Sequence, residues 1–131
     1  MCELIGRYMI RVTPLIITNK IKECADFYIN YFNYVVVFEE DWYVHLIHKE
    51  SGSELAFMIP NVKNQPKELH TAFTGQGMVY TLEVDDATFE FKRLQELDVK
   101  FILALKDEPW GQRHCIISDP AGVYIDVVEQ L

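Results

Sequence analysis

The sequence predicts an α+β fold built from two βαβββ modules, and three observations carry that expectation. One order of apolar patterns (strand, helix, then three strands) runs over residues 9–60 and again over residues 78–130. Turn residues punctuate it: Asp41, Ser51-Gly52, Pro60-Asn61 and Asp119-Pro120-Ala121-Gly122. Half of the 131 residues are hydrophobic, with 8 Phe, 7 Tyr and 2 Trp, a composition that suits one packed domain over residues 1–131.

In the first module, Met9–Ile17 is rich in β-branched and aliphatic residues and reads as a strand. Pro14 cannot donate a ladder bond, which makes this an edge, a strand start or a bulge. Thr18 and Asn19 offer a helix cap, and Ile21, Cys24, Ala25, Tyr28 and Phe32 recur on one helical face. Asn33 suits the left-handed conformation that closes helices. Strands follow at Tyr34–Phe38, Trp42–His48 and Leu55–Ile59. Residues 61–77 form a polar connector with one short helical turn near Lys67–Phe73. Its Gly75-Gln76-Gly77 follows no strand and reads as linker, not as a phosphate-binding turn.

The second module repeats the order. Met78–Val84 is a strand, Asp85-Asp86 a cap, and Ala87, Phe91, Leu94 and Leu97 a helical face. Asp98 takes the place of Asn33, and strands follow at Val99–Leu105, Gln112–Ser118 and Val123–Val128. Asp119–Gly122, with Pro second and Gly fourth, has the spacing of a four-residue type I turn.

Charge and cysteine usage narrow the function classes. The net charge of −8 repels phosphate backbones and argues against nucleic acid as a partner. Cys2, Cys24 and Cys115 match neither zinc spacing nor a disulfide framework, so they read as reduced thiols. The start Met1–Arg7 lacks the apolar run of a signal peptide, and no apolar stretch is long enough to span a membrane. The expected location is the cytoplasm.

Two stretches resemble a known family. Ala25-Asp26-Phe27-Tyr28 with Tyr31-Phe32-Asn33-Tyr34 resembles the FYxxxLGF of the glyoxalase/bleomycin-resistance/dioxygenase (vicinal oxygen chelate) superfamily. Trp110-Gly111-Gln112-Arg113, running into Asp119-Pro120-Ala121-Gly122-Val123-Tyr124-Ile125-Asp126, resembles its WGxR…DPxGxxIE ending. The resemblance implies that the modules form a curved mixed sheet around one cavity. It also implies that metal-using members place four ligands, usually His, Gln or Glu, on the first and fourth strands of each module. Those positions fall here on Thr13, Phe57, Val79 and Asp126. A divalent ion needs several oxygen or nitrogen donors at about 2.0–2.2 Å, and one carboxylate among Thr, Phe and Val does not supply them. The neighbours Val12, Pro14, Ala56, Met58, Met78 and Tyr80 are no better ligands. The expectation is a member without metal or other cofactor.

Strand alternation then sorts the side chains. Tyr124 and Val128 share the face of Asp126. A four-residue turn sets Cys115 opposite Asp126, with Arg113 diagonal to it. Arg113 and Asp126 are then either a structural ion pair or a ligand anchor. The same alternation turns Trp42, Val44, Leu46, His48, Leu55, Phe57, Thr81 and Glu83 inward, toward either a small-molecule pocket or a cup filled by its own core. His45 faces away from His48, His70 sits in the connector, and His114 faces away from Asp126. Cys115 reads as a thiol activated by Arg113 or as an inert buried one. Trp110 is placed to stack on a ligand, anchor a partner or fasten its own loop.

The expected function is the binding of a small organic molecule in an apolar-aromatic cavity, in the manner of the bleomycin-resistance binders and without catalysis. The expected ligand-binding residues are Trp42, His48, Phe57, Glu83, Trp110, Arg113 and Asp126, and the partner implied by the resemblance is a second copy of the chain, giving a homodimer. The alternatives are a lyase or dioxygenase-type enzyme using a metal or acid–base residues such as Glu83, His48 and Asp126, and a regulatory module whose cavity is filled.

Overall fold

The computed structural model describes residues 8–131; Cys2, and the Met1–Arg7 stretch read above as lacking a signal peptide, lie outside them. The first module consists of β1 (Leu15–Ile17), α1 (Ile21–Phe32), β2 (Tyr34–Glu40), β3 (Tyr43–His48) and β4 (Glu54–Met58). The second consists of β5 (Val79–Glu83), α2 (Ala87–Glu96), β6 (Phe101–Glu108), β7 (Gln112–Ser118) and β8 (Tyr124–Gln130). A 3₁₀ turn at Lys67–Leu69 lies in the connector. The strands form two four-stranded sheets of matching order, β1-β4-β3-β2 and β5-β8-β7-β6. The first strand of each module runs parallel to its last, and the remaining pairs are antiparallel.

Local chemistry sets the element ends. Asn33 takes φ 63° and donates its N–H to the Tyr28 carbonyl, closing α1; Asp98 takes φ 60° just beyond α2. Asp86 caps α2 by accepting from the Phe89 N–H at 3.0 Å, and Glu129 accepts from the Ala87 N–H at 2.9 Å. At α1 the cap position is Lys20, whereas Thr18 Oγ1 accepts from the Lys20 N–H at 3.1 Å. The first strand is shorter than the apolar run suggests. Its parallel partner β4 begins at Glu54, and with Leu15 beside Ala56 no partner backbone remains for residues 8–12. Pro14 lends only its carbonyl, which accepts from the Ala56 N–H at 2.9 Å.

Each helix covers one face of its own sheet. Tyr28 is fully buried and stacks on Phe57 at 5.8 Å, above Val44, Leu46 and Leu55. Leu94 of α2 is buried in the same cluster as Cys115, Ile117, Ile125 and Val127. Burying such side chains contributes about 1.5–3 kcal/mol each, and they join into one hydrophobic core across both modules. The Tyr28 hydroxyl donates to Asp119 Oδ2 at 2.8 Å, tying α1 to the β7–β8 turn. Among the described residues, no helix is long and apolar enough to cross a membrane.

Two expectations about side-chain facing are corrected. Phe57, Val44, Leu46 and Leu55 point under α1; the helix-free face of β4 carries Glu54, Ala56 and Met58 instead. Apolar residues occupy both faces of β4, so apolar character alone does not mark its inner side. In the second sheet Asp126 pairs with Ile116, not Cys115. The loop has five residues because Asp119 Oδ1 accepts from both the Ala121 and Val123 N–H groups at 2.9 Å. Val123 therefore stays in the turn, and pairing resumes with Ser118 beside Tyr124.

Candidate functional site

The helix-free faces are where this fold leaves side chains unclaimed by its core. On the first sheet, Phe38, His45, Ala56 and Leu15 lie in one row across β2, β3, β4 and β1. Glu54 is nearly buried, its side chain 9% exposed, and it is fixed from two sides. His45 donates through Nε2–H to Glu54 Oε1 at 2.5 Å, and Arg11 donates through Nε–H to Oε2 at 2.8 Å. A buried carboxylate requires such pairing. Beside it Trp42, Tyr43 and Phe38 form an aromatic patch, with ring centroids 5.4 and 6.0 Å apart in sequence, and Tyr43 lies edge-on to His45 at 6.4 Å. Burial and the nearby Glu54 push the Tyr43 hydroxyl above its ordinary pKa. Phe38 is 48% and Trp42 38% exposed.

On the second sheet His114, 6% exposed, is clamped between two carboxylates. Nδ1–H donates to Asp126 Oδ1 at 2.7 Å and Nε2–H to Glu108 Oε2 at 2.9 Å, which requires an imidazolium. Lys106 Nζ stands 3.4 Å from the other Glu108 oxygen. Burial alone would lower the His114 pKa, but the hydrogen bonds to Glu108 and Asp126 together raise it. The bond from His114 likewise holds the Glu108 carboxyl below its ordinary range. Both nitrogens are consumed, so this cluster fastens β6, β7 and β8 and has no free site for proton transfer.

The expected site residues scatter. Asp126 and Glu83 do lie on the helix-free face of the second sheet; Asp126 is held by His114, and Glu83 stands 3.5 Å from Gln130 Nε2. Arg113 lies on the opposite face and donates to Asp107 at 2.6 and 3.0 Å, so it does not meet Asp126. Phe57 is core. His48 is also on the helix side, edge-on to Tyr34 at 5.2 Å, with Nδ1 accepting from the Ser51 N–H. Trp110 is 66% exposed in the β6–β7 turn and donates to Gln112 Oε1 at 2.8 Å. A crevice of about 1270 Å³, lined by both modules, takes in His48, Glu54, Val79, Glu83 and Arg93. Burial raises the Cys115 thiol to about 11, with Asp126 and Glu90 adding to it, which makes it inert. The reading of the sequence missed Arg11, His45, Glu54, Glu108 and His114. Strand alternation started from Glu54 or His45, the polar members of mixed strands, would have put those two on one face; Arg11 lies before β1, where no strand spacing points to it.

A family model for the Glyoxalase/Bleomycin resistance protein/Dioxygenase superfamily matches residues 5–127. The chain belongs to this superfamily. Solved structures agree in fold. A glyoxalase/bleomycin resistance protein/dioxygenase from Nocardioides superposes with a TM-score of 0.78 at 15% identity, covering 99% of this chain and 89% of that one. Lactoylglutathione lyase from Agrobacterium tumefaciens gives 0.73 at 19%, covering 94% and 96%. A bleomycin resistance determinant encoded on transposon Tn5 gives 0.66 at 15%, covering 93% and 98%. No curated protein matches the chain by sequence.

The metal-using members of this superfamily place four ligands on the strands that here are β1, β4, β5 and β8. The donors present do not fit such an ion. Thr13 and Val79 hold two of the positions, and the β4 choices are Ala56 or a Glu54 already bound to Arg11 and His45. The fourth, Asp126, is bound to His114. Among the described residues no three His, Cys, Asp or Glu side chains gather in a geometry that could hold a metal.

Proposed function

We propose that this superfamily member binds a small organic molecule on the helix-free face of its first sheet, without a metal. The observation that carries the reading is the aromatic patch of Phe38, Trp42 and Tyr43 beside the fixed Arg11–Glu54–His45 group. Exposed rings offer stacking area, and a few oriented polar groups set the ligand's direction. Trp42 keeps the role expected of it; His45 takes the polar role first assigned to His48. Two buried free thiols, Cys24 and Cys115, fit a reducing compartment such as the cytoplasm. The partner proposed is a second copy of the chain, because the helix-free faces also expose Leu15, Val79 and Tyr124.

The test is a titration with small aromatic compounds followed by NMR shift changes. Changes centred on Phe38, Trp42, Tyr43 and His45 are expected, with Phe38→Ser weakening binding about tenfold. Shifts confined to the β6–β7 turn, or none at millimolar ligand, would overturn this reading.

A further inference from the structure

Each sheet has two end strands, and these are unequally protected. An end strand offers unpaired N–H and C=O groups to any extended chain that reaches it; bulges, shortness or proline blunt that offer. β2 slips register between Val36 and Phe38. β6 slips between Phe101 and Leu103 and again between Leu103 and Lys106. β1 has three residues and follows Pro14 directly. β5 has none of these features: Val79–Glu83 pairs with β8 in unbroken register and holds no proline.

The backbone of β5 shows which of its groups are free. Successive residues of a strand direct their N–H and C=O to opposite edges. The Val84 N–H donates to the Val128 carbonyl at 2.8 Å, so Val84 faces β8. Counting back, Leu82 and Tyr80 face β8 too, whereas Glu83, Thr81 and Val79 direct their N–H and C=O to the free edge. That edge borders the crevice of about 1270 Å³ between the modules. The consecutive residues Val79–Asp85 all line it, so residues of both sheet faces take part and the crevice follows the backbone itself. Phe32 at the end of α1 and Glu50 of the β3–β4 turn also line it.

The crevice walls carry an excess of carboxylates. Arg93, the one lysine or arginine among the lining residues, donates to Glu90 Oε1 through Nη2 at 2.7 Å and Nε at 3.1 Å and lies over the Phe32 ring. Glu54 is matched by Arg11. Glu50, Glu83 and Asp85 have no lysine or arginine partner among the described residues; Glu50 accepts from Asn33 and Glu83 stands near Gln130. We infer that the free edge of β5 takes up an extended peptide as an added strand, and that the unmatched carboxylates of Glu50, Glu83 and Asp85 select one with lysine or arginine at alternate positions. Alternate side chains of a strand share a face, as Glu83 and Asp85 do. This edge lies apart from the aromatic patch of the first sheet and does not depend on ligand binding there.

The probe is the peptide acetyl-Lys-Val-Lys-Val-Lys-amide, added to the full chain and followed by residue-resolved amide hydrogen exchange. The Thr81 and Glu83 N–H groups are expected to exchange about tenfold more slowly with peptide bound, and the Leu82 N–H, already paired with β8, to change less. The same peptide with every backbone nitrogen methylated keeps its charges, loses its donors and should give no protection. The peptide with glutamate in place of lysine should give none either. Glu83→Lys combined with Asp85→Lys should weaken the lysine peptide about tenfold while circular dichroism shows the fold intact. If the lysine peptide protects no β5 amide at millimolar concentration, or if the methylated or glutamate peptide protects as well, the inference is overturned. It is overturned too if Thr81 and Glu83 are protected without peptide and lose that protection on dilution, because a second copy then already occupies the edge.

Discussion

At the scale of single residues, Asp119 and His114, two of the buried polar residues outside the proposed site, have distinct consequences for stability. Asp119 is 5% exposed and serves three donors: the Tyr28 hydroxyl and the Ala121 and Val123 N–H groups. Burial raises its pKa, and the hydrogen bonds from Tyr28, Val123 and Ala121 work against that rise. Replacing it by Ala strands all three donors, each of which costs about 1–3 kcal/mol when buried unpaired. Asp119→Asn keeps an acceptor oxygen for the turn without a buried charge. Denaturant unfolding should therefore place Asp119→Ala several kcal/mol below the parent and Asp119→Asn close to it; equal losses would show that the turn does not depend on this oxygen. His114 acts through its charge. Its folded pKa is raised, so the stability it contributes is complete below the ordinary histidine value and fades as pH climbs through the folded one. Melting temperatures from mildly acid to mildly alkaline pH should fall more steeply for the parent than for His114→Gln. Parallel curves would mean that His114 is not held as an imidazolium between Glu108 and Asp126.

At the scale of elements, helix ends and strand pairing were legible in the sequence to different degrees. Asn33 shows why ends are readable: one residue both tolerates φ 63° and binds Glu50 through its side chain at 2.7 and 2.8 Å. Asn33→Ala should cost about 1 kcal/mol from the left-handed backbone, and Asn33→Gly less; the comparison is read from thermal unfolding, and an Ala variant as stable as Gly would remove the left-handed cap as the cause. The same signal at Asp98 and the cap at Asp86 make both helix ends legible in the sequence. Facing was less legible, because it depends on counts that local chemistry alters. Asp119 lengthens the β7–β8 loop by one residue, and that shift exchanges Cys115 for Ile116 opposite Asp126. His114 thereby lands on the Asp126 face and Arg113 on the other. In β4, Leu55 and Phe57 on one face and Ala56 and Met58 on the other are all apolar and buried, so alternation of polar and apolar residues does not mark which face lies under the helix. The Arg11–Glu54–His45 group also joins residues from three segments, and no spacing within one segment announces it.

At the scale of the whole molecule, the exposed apolar surface and the net charge make opposing demands on self-association. Outside the proposed binding patch, the helix-free faces expose Leu15 at 37%, Val79 at 54% and Tyr124 at 36%, more than isolated surface residues require. A second copy covering these faces would remove them from water at about 25 cal/mol per Å². Each chain carries a formal charge of −8, so two copies repel over distances of about a Debye length. Salt shortens that repulsion and leaves the apolar contact intact. A homodimer held this way should tighten as ionic strength rises, the opposite of one held by ion pairs. Sedimentation equilibrium should give twice the chain mass of 15.3 kDa, with a dissociation constant that falls between low and moderate salt. Val79→Glu places a charge on the helix-free face of the second sheet and should shift the mixture to monomer while circular dichroism shows the fold intact, because Val79 is not part of the core. A single-chain mass at about 100 µM in moderate salt, a concentration at which even weak specific pairs form, would show that the faces are not closed by a second copy. A dimer that loosens with salt would keep the partner and replace apolar contact by ion pairing as its cause.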